Sequence, residues 1–213
     1  MSVIMTRPNY DEAINCVSIY AEKIKIEADK KGLTVHDLYG KKATRMVLES
    51  FLKKHKAGLV FFNGHGASDL VAGHDDEPIL DKNNSHLLRA KITHVLACSA
   101  GSQLGPGLVE NGAAAFIGYK NMFCFHMDRS KKPGDDKIAA AFLESANQAP
   151  ISLVKGNTVR EAYQRSQETY DKWINYFDIH YTLESSFVIP LLVWDKLNQV
   201  VYGNENASLT TIS

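Results

Sequence analysis

The chain has 213 residues, 45% of them hydrophobic, which is enough for one sizeable domain with a real core. Lys plus Arg and Asp plus Glu each number 24, so the formal net charge is zero, without the basic surplus a nucleic-acid partner would need. Cys16, Cys98 and Cys124 are odd in number and widely spaced, which fits a reducing compartment rather than a disulfide framework.

The start, MSVIMTRPNYDE, holds an apolar run too short for a secretory segment and lacks a cationic lead. No run approaches the ~20 apolar residues that span a bilayer. The expectation is a cytoplasmic protein with no membrane partner. Residues 3–6 read as a first strand ended by Arg7-Pro8, and residues 8–32 as a helix stopped at Gly32. Residues 43–55 form an amphipathic helix with Met46, Val47, Phe51 and Leu52 on its inner side. The continuous apolar run 59–62 is expected of a strand covered on both faces.

Residues 69–73 and 78–81 suit a small hairpin around the acidic loop His74-Asp75-Asp76-Glu77, followed by a short helix at 84–90. Then come a strand at 94–97, a helix at 104–111 closed by Gly112, and a strand at 113–119. Residues 135–148 and 158–176 are helical, and 188–194 and 199–202 read as two closing strands. The main domain covers residues 1–203, and 204–213 is a polar tail expected to fray. Alternating strands and helices predict one α/β domain, with a largely parallel central sheet flanked by helices on both faces.

In open α/β sheets, ligands bind at the carboxyl ends of the strands. Two stretches put reactive side chains there. In 59-LVFFNGHGAS-68 an apolar strand runs into a histidine between two glycines. In 94-HVLACSAGSQLG-105 another strand delivers Cys98 to a glycine-rich turn. Either residue alone has an ordinary explanation: a tight turn for His65, and a small core hydrophobe for Cys98. Together they suit a thiol nucleophile with an imidazole partner, because the histidine takes the thiol proton and later returns one to the leaving group.

Gly64-His65-Gly66, followed by Ala97-Cys98-Ser99-Ala100-Gly101, resembles the caspase-like clan of cysteine peptidases. That clan includes caspases, legumains, gingipains, clostripain, metacaspases and separase. The following 112-GAAAFIGY-119 is similar to the small-residue strand after the nucleophile in gingipain-like members. The resemblance is carried by residues 58–120. It implies a caspase-like fold, an endopeptidase activity proceeding by an acyl-enzyme, and no cofactor. Cys98 would be the nucleophile and His65 its acid/base partner, with the backbone N–H groups of Gly66 and Cys98 as the oxyanion hole. The implied partner is a protein or peptide substrate; because the sequence holds little beyond the catalytic domain, any regulator is expected to be a separate polypeptide.

Clan members that cleave after Arg or Lys place a carboxylate at the base of the primary pocket. Asp128 is the first candidate for that role and Asp69 the second. Arg129, Lys131 and Lys132 in the loop HMDRSKKPGDDK would offer such an enzyme sites for a tuning cleavage.

Other chemistries fare worse. His74, His86, His94, His126 and His180 show no zinc-ligand spacing, and Asp75-Asp76-Glu77 lacks the register of a calcium loop. No metal site is expected. Ser99 lacks the Gly-x-Ser-x-Gly elbow of a serine hydrolase. Thr6-Arg7-Pro8-Asn9 does not provide the phosphate-binding turn of a Rossmann-type protein. The remaining alternative is a catalytically quiet caspase-like module that binds other proteins.

Overall fold

The computed structural model describes residues 2–212. Strand β1 (Ser2–Arg7) leads into helix α1 (Glu12–Lys30), then β2 (Thr34–Tyr39), α2 (Arg45–Lys54) and β3 (Ala57–Asn63). A short hairpin, β4 (Val71–Ala72) and β5 (Pro78–Leu80), precedes β6 (Ile92–Leu96), α3 (Leu104–Glu110) and β7 (Ala115–Tyr119). Three helices follow, α4 (Lys137–Val154), α5 (Val159–Ile179) and α6 (Ser185–Asn198), and β8 (Gln199–Gly203) closes the sheet.

The six-stranded sheet has the order β2-β1-β3-β6-β7-β8. Every neighbouring pair is parallel except β7 and β8, which run antiparallel. Successive residues of a strand face opposite sides, and both sides of this sheet are covered. Val60 and Phe62 pack with Leu48 and Leu52 of α2 and with Leu104 and Leu108 of α3. Leu59 and Phe61 pack on the other side with Ala21, Ile24 and Ala28 of α1 and with Ala149 and Leu153 of α4. This is the expected α/β architecture, and its central strands read as continuous apolar runs because neither face meets water.

Three elements differ from the pattern reading. The edge strand β2 has only Leu38 buried, so its polar sequence TVHDLY carries little strand signal. The run 188–194 is not a strand but the middle of α6. A short apolar run cannot be assigned by periodicity alone. The buried face of α6 is Ser185, Val188, Leu192, Asp195 and Asn198, at helical spacing, but three of those five are polar. Its outward face carries Phe187, Val193, Trp194 and Leu197, so the hydrophobic pattern hides the helix. As far as residue 212 the tail is packed rather than frayed: Ala207 and Leu209 are buried in the core, and the Val159 amide donates to the Ala207 carbonyl at 2.9 Å.

Candidate active site

Five adjacent parallel strands, β2, β1, β3, β6 and β7, deliver their carboxyl ends to one edge of the sheet. Asn63 of β3 and Leu96 of β6 are register partners, and His65 and Cys98 each lie two residues beyond them. The two side chains therefore leave neighbouring parallel strands at the same level, as the sequence predicts.

Backbone contacts weld the two turns together. A Cβ at Gly66 would stand 2.8 Å from Ala97 Cβ and 2.9 Å from the Cys98 carbonyl oxygen. At Gly64 it would meet the Ala72 carbonyl oxygen at 2.3 Å. Both glycines flanking His65 are thus demanded by protein atoms. The Gly66 turn is held by hydrogen bonds from Ala67 N to Leu70 O (3.1 Å) and from Ala72 N to His65 O (2.9 Å). Among the described residues the amides of Gly66 and Cys98 donate to no acceptor. Ser99, just after the cysteine, has φ of 57°, a left-handed conformation costly for a residue with a side chain. Its amide is tied to the Asn121 carbonyl at 2.9 Å.

His65 is exposed, and its Nε2 lies 2.8 Å from Asp11 Oδ2. Tyr10 meets the same ring edge-on at a centroid distance of 6.3 Å. Asp11 caps α1, its Oδ1 accepting from Ile14 N at 2.7 Å. Asp11, His65 and Cys98 thus follow the adjacent strands β1, β3 and β6 in spatial order. The sequence reading missed Asp11 because it placed residue 11 inside a helix beginning at Pro8. The available signal was an acidic residue just past a strand end, the same position rule that picked out the other two.

Cys98 is half-buried, and burial pushes its thiol above the usual range. Its Sγ donates to the Phe123 carbonyl at 3.6 Å and makes no hydrogen bond to His65. Phe123 belongs to an irregular strap, residues 120–127, that leaves β7 and crosses the nucleophile turn.

The two carboxylates expected to select substrate lie elsewhere along the cleft system. Asp128 lines a cleft of about 770 Å³ with His126, Lys137, Tyr176, His180 and Phe187, and neither Cys98 nor His65 borders that cleft. Hydrogen bonds from Ser130, then the ammonium of Lys131 at 3.1 Å, hold the Asp128 carboxyl down to about 2. Asp69, exposed, borders a smaller cavity of about 260 Å³ beside Gln103 and Leu104. Among the described residues no group of three His, Cys, Asp or Glu is placed to hold a metal ion, and no helix is long and apolar enough to cross a membrane.

No family model matches the sequence, and no curated protein matches it. The fold does have solved counterparts. The Arg-specific cysteine proteinase gingipain R (RgpB) superposes with a TM-score of 0.60 at 10% identity, covering 97% of this chain and 46% of that one. The complex of Porphyromonas gingivalis RgpB pro- and mature domains gives 0.54 at 9% identity, with coverage of 96% and 47%. The fold is caspase-like. This chain spans about half the length of those chains, and within that span the caspase-like sheet carries His65 and Cys98 on adjoining strand ends.

Proposed function

We propose that the chain is a cysteine endopeptidase in which Cys98 and His65 hydrolyse a peptide bond through an acyl-enzyme. The observation that carries this reading is the register of β3 and β6, which sets the thiol and the imidazole at equal heights on neighbouring strands. His65 takes the Cys98 proton, and the thiolate attacks the substrate carbonyl carbon. The oxyanion that forms is met by the two unengaged amides, Gly66 N–H and Cys98 N–H. His65 then protonates the departing amine, leaving a thioester on Cys98. Water attacks that thioester with His65 as base, and the carboxylic acid product leaves as the thiol is restored. Asp11 fixes the ring through Nε2, so that Nδ1 is the nitrogen left for proton transfer.

We assign a preference for a basic residue before the scissile bond, with Asp128 as the selecting carboxylate and Asp69 as the second candidate. Two things support it: Asp128 already binds an ammonium, that of Lys131, and the solved counterpart is named Arg-specific. A second reading, a catalytically quiet module, is favoured by one observation. The thiol is turned to the Phe123 carbonyl and raised by burial, as in a resting state. A separate regulatory polypeptide that shifts the strap would reconcile the two, and RgpB is known with its pro-domain as a partner.

The test is hydrolysis of a mixed peptide library by wild type and Cys98→Ala. Cleavage by wild type that disappears in the variant is expected. Cleavage that survives in folded Cys98→Ala would exclude the mechanism.

A further inference from the structure

Asp195 is the one carboxylate of α6, and it is fully buried. Its Oδ1 accepts the Cys124 amide at 2.9 Å, while Oδ2 is buried with no hydrogen-bond partner among the described residues. Among the described residues no cation pairs with it: Lys196, next on the helix, pairs with Asp171. The titratable groups that feel it are Cys98, Cys124 on the strap, Tyr119 on β7 and Tyr170 on α5. A lone buried carboxylate is costly, and burial lifts this one to about 8, so at neutral pH it is mostly an uncharged acid.

The strap that Asp195 holds is pinned almost residue by residue. Lys120 N donates to Asn198 O at 2.9 Å, and the Asn121 amide group donates to the Asn198 side-chain oxygen. Trp194 Nε1 donates to Met122 O at 2.8 Å, and Cys98 Sγ donates to Phe123 O at 3.6 Å. Cys124 N donates to Asp195. Helix α6 therefore grips the strap on both sides of the carbonyl that receives the thiol.

We propose that Asp195 is a positioning residue for the nucleophile: as a neutral acid it holds the strap against Cys98, and on losing its proton it opposes formation of the Cys98 thiolate. This rests on the peptidase reading for its purpose, but not for its physics. A second negative charge in a low-dielectric interior makes a neighbouring thiolate less favourable, whereas a neutral carboxyl adds no such penalty. Asparagine at this position would keep an acceptor for the Cys124 amide and remove the titration.

The experiment measures the rate at which iodoacetamide alkylates Cys98 in the full chain, read by mass spectrometry on the Cys98 peptide, from about pH 6 to about pH 9.5. Wild type and Asp195→Asn are expected to agree within about twofold below pH 7. The variant should react roughly three- to tenfold faster near pH 9, where only wild type carries the extra charge. In Asp195→Ala, hydrogen exchange of the Cys124 amide should accelerate at least about tenfold, because its acceptor is gone. Superimposable wild-type and Asp195→Asn profiles would overturn the inference whether or not the alanine variant folds. Alkylation reads the thiol alone, so a shifted profile in a protein that cleaves no peptide would sink the peptidase reading and sustain the role of Asp195.

Discussion

Asp11 serves two elements at once: Oδ1 caps α1 through the Ile14 amide at 2.7 Å, and Oδ2 meets His65 Nε2 at 2.8 Å. The first turn of a helix is thereby coupled to the candidate general base. Serine at position 11 retains a capping oxygen but cannot reach the imidazole as a carboxylate does. Asp11→Ser should therefore lower kcat by roughly 10- to 100-fold while leaving stability within about 1 kcal/mol. Asp11→Ala should lose the same activity and about 1 kcal/mol in addition. Steady-state kinetics paired with urea unfolding separate the two roles, and full activity in Asp11→Ser would remove Asp11 from the site.

In the proposed dyad, Cys98 and His65 share one proton. Each single alanine variant should abolish hydrolysis, and the double variant should lose little more than either, since members of a catalytic unit are not additive. Multiplicative losses would mean that the residues act independently. Cys16→Ser and Cys124→Ser should keep near-normal turnover.

Gly66 has Ala97 Cβ and the Cys98 carbonyl oxygen inside the space a methyl group would need. Gly66→Ala should push the two turns apart, costing about 1–3 kcal/mol in stability. The loss of turnover should exceed what that instability explains at a temperature where the variant remains folded. Unchanged kcat would show that neither turn is tightly placed for catalysis.

Asp128 is engaged by Ser130 and Lys131 of its own loop. Matched reporter peptides ending in Arg, Asn, Asp and Leu should reveal an Arg preference that Asp128→Ala reduces by about tenfold or more. An Arg preference that survives intact in the variant would pass the role to another residue, Asp69→Ala being the next comparison.

Burial raises the Asp195 carboxyl to about 8, well above its value in an unfolded chain. The folded protein then holds a proton that the unfolded chain releases as the pH climbs from about 4 to about 8. The stability this proton contributes is complete below about pH 4 and is lost progressively up to about pH 8. Relative to Asp195→Asn, wild type should therefore weaken by as much as about 5 kcal/mol between those limits. Denaturant midpoints of both proteins across that range measure the difference, and parallel curves would contradict a neutral buried acid.

The sequence alone was enough for the α/β class, the central strands β3, β6 and β7, and the placement of His65 and Cys98 at strand ends. Those features are local. A strand buried on both faces must be apolar along its length, and a turn squeezed between backbones must contain glycine. What only the tertiary structure decided depends on partners distant in the chain. Thr34–Tyr39 is a strand because β1 offers it a parallel edge, although its own residues are largely polar. The run through Pro190 is a helix whose buried polar positions 185, 195 and 198 find hydrogen-bond partners that no apolar pattern can announce. Asp11 and Asp195 are both ordinary acids in the sequence. One joins His65 because β1 and β3 are neighbours, and the other holds the strap at Cys124 because α6 returns across it.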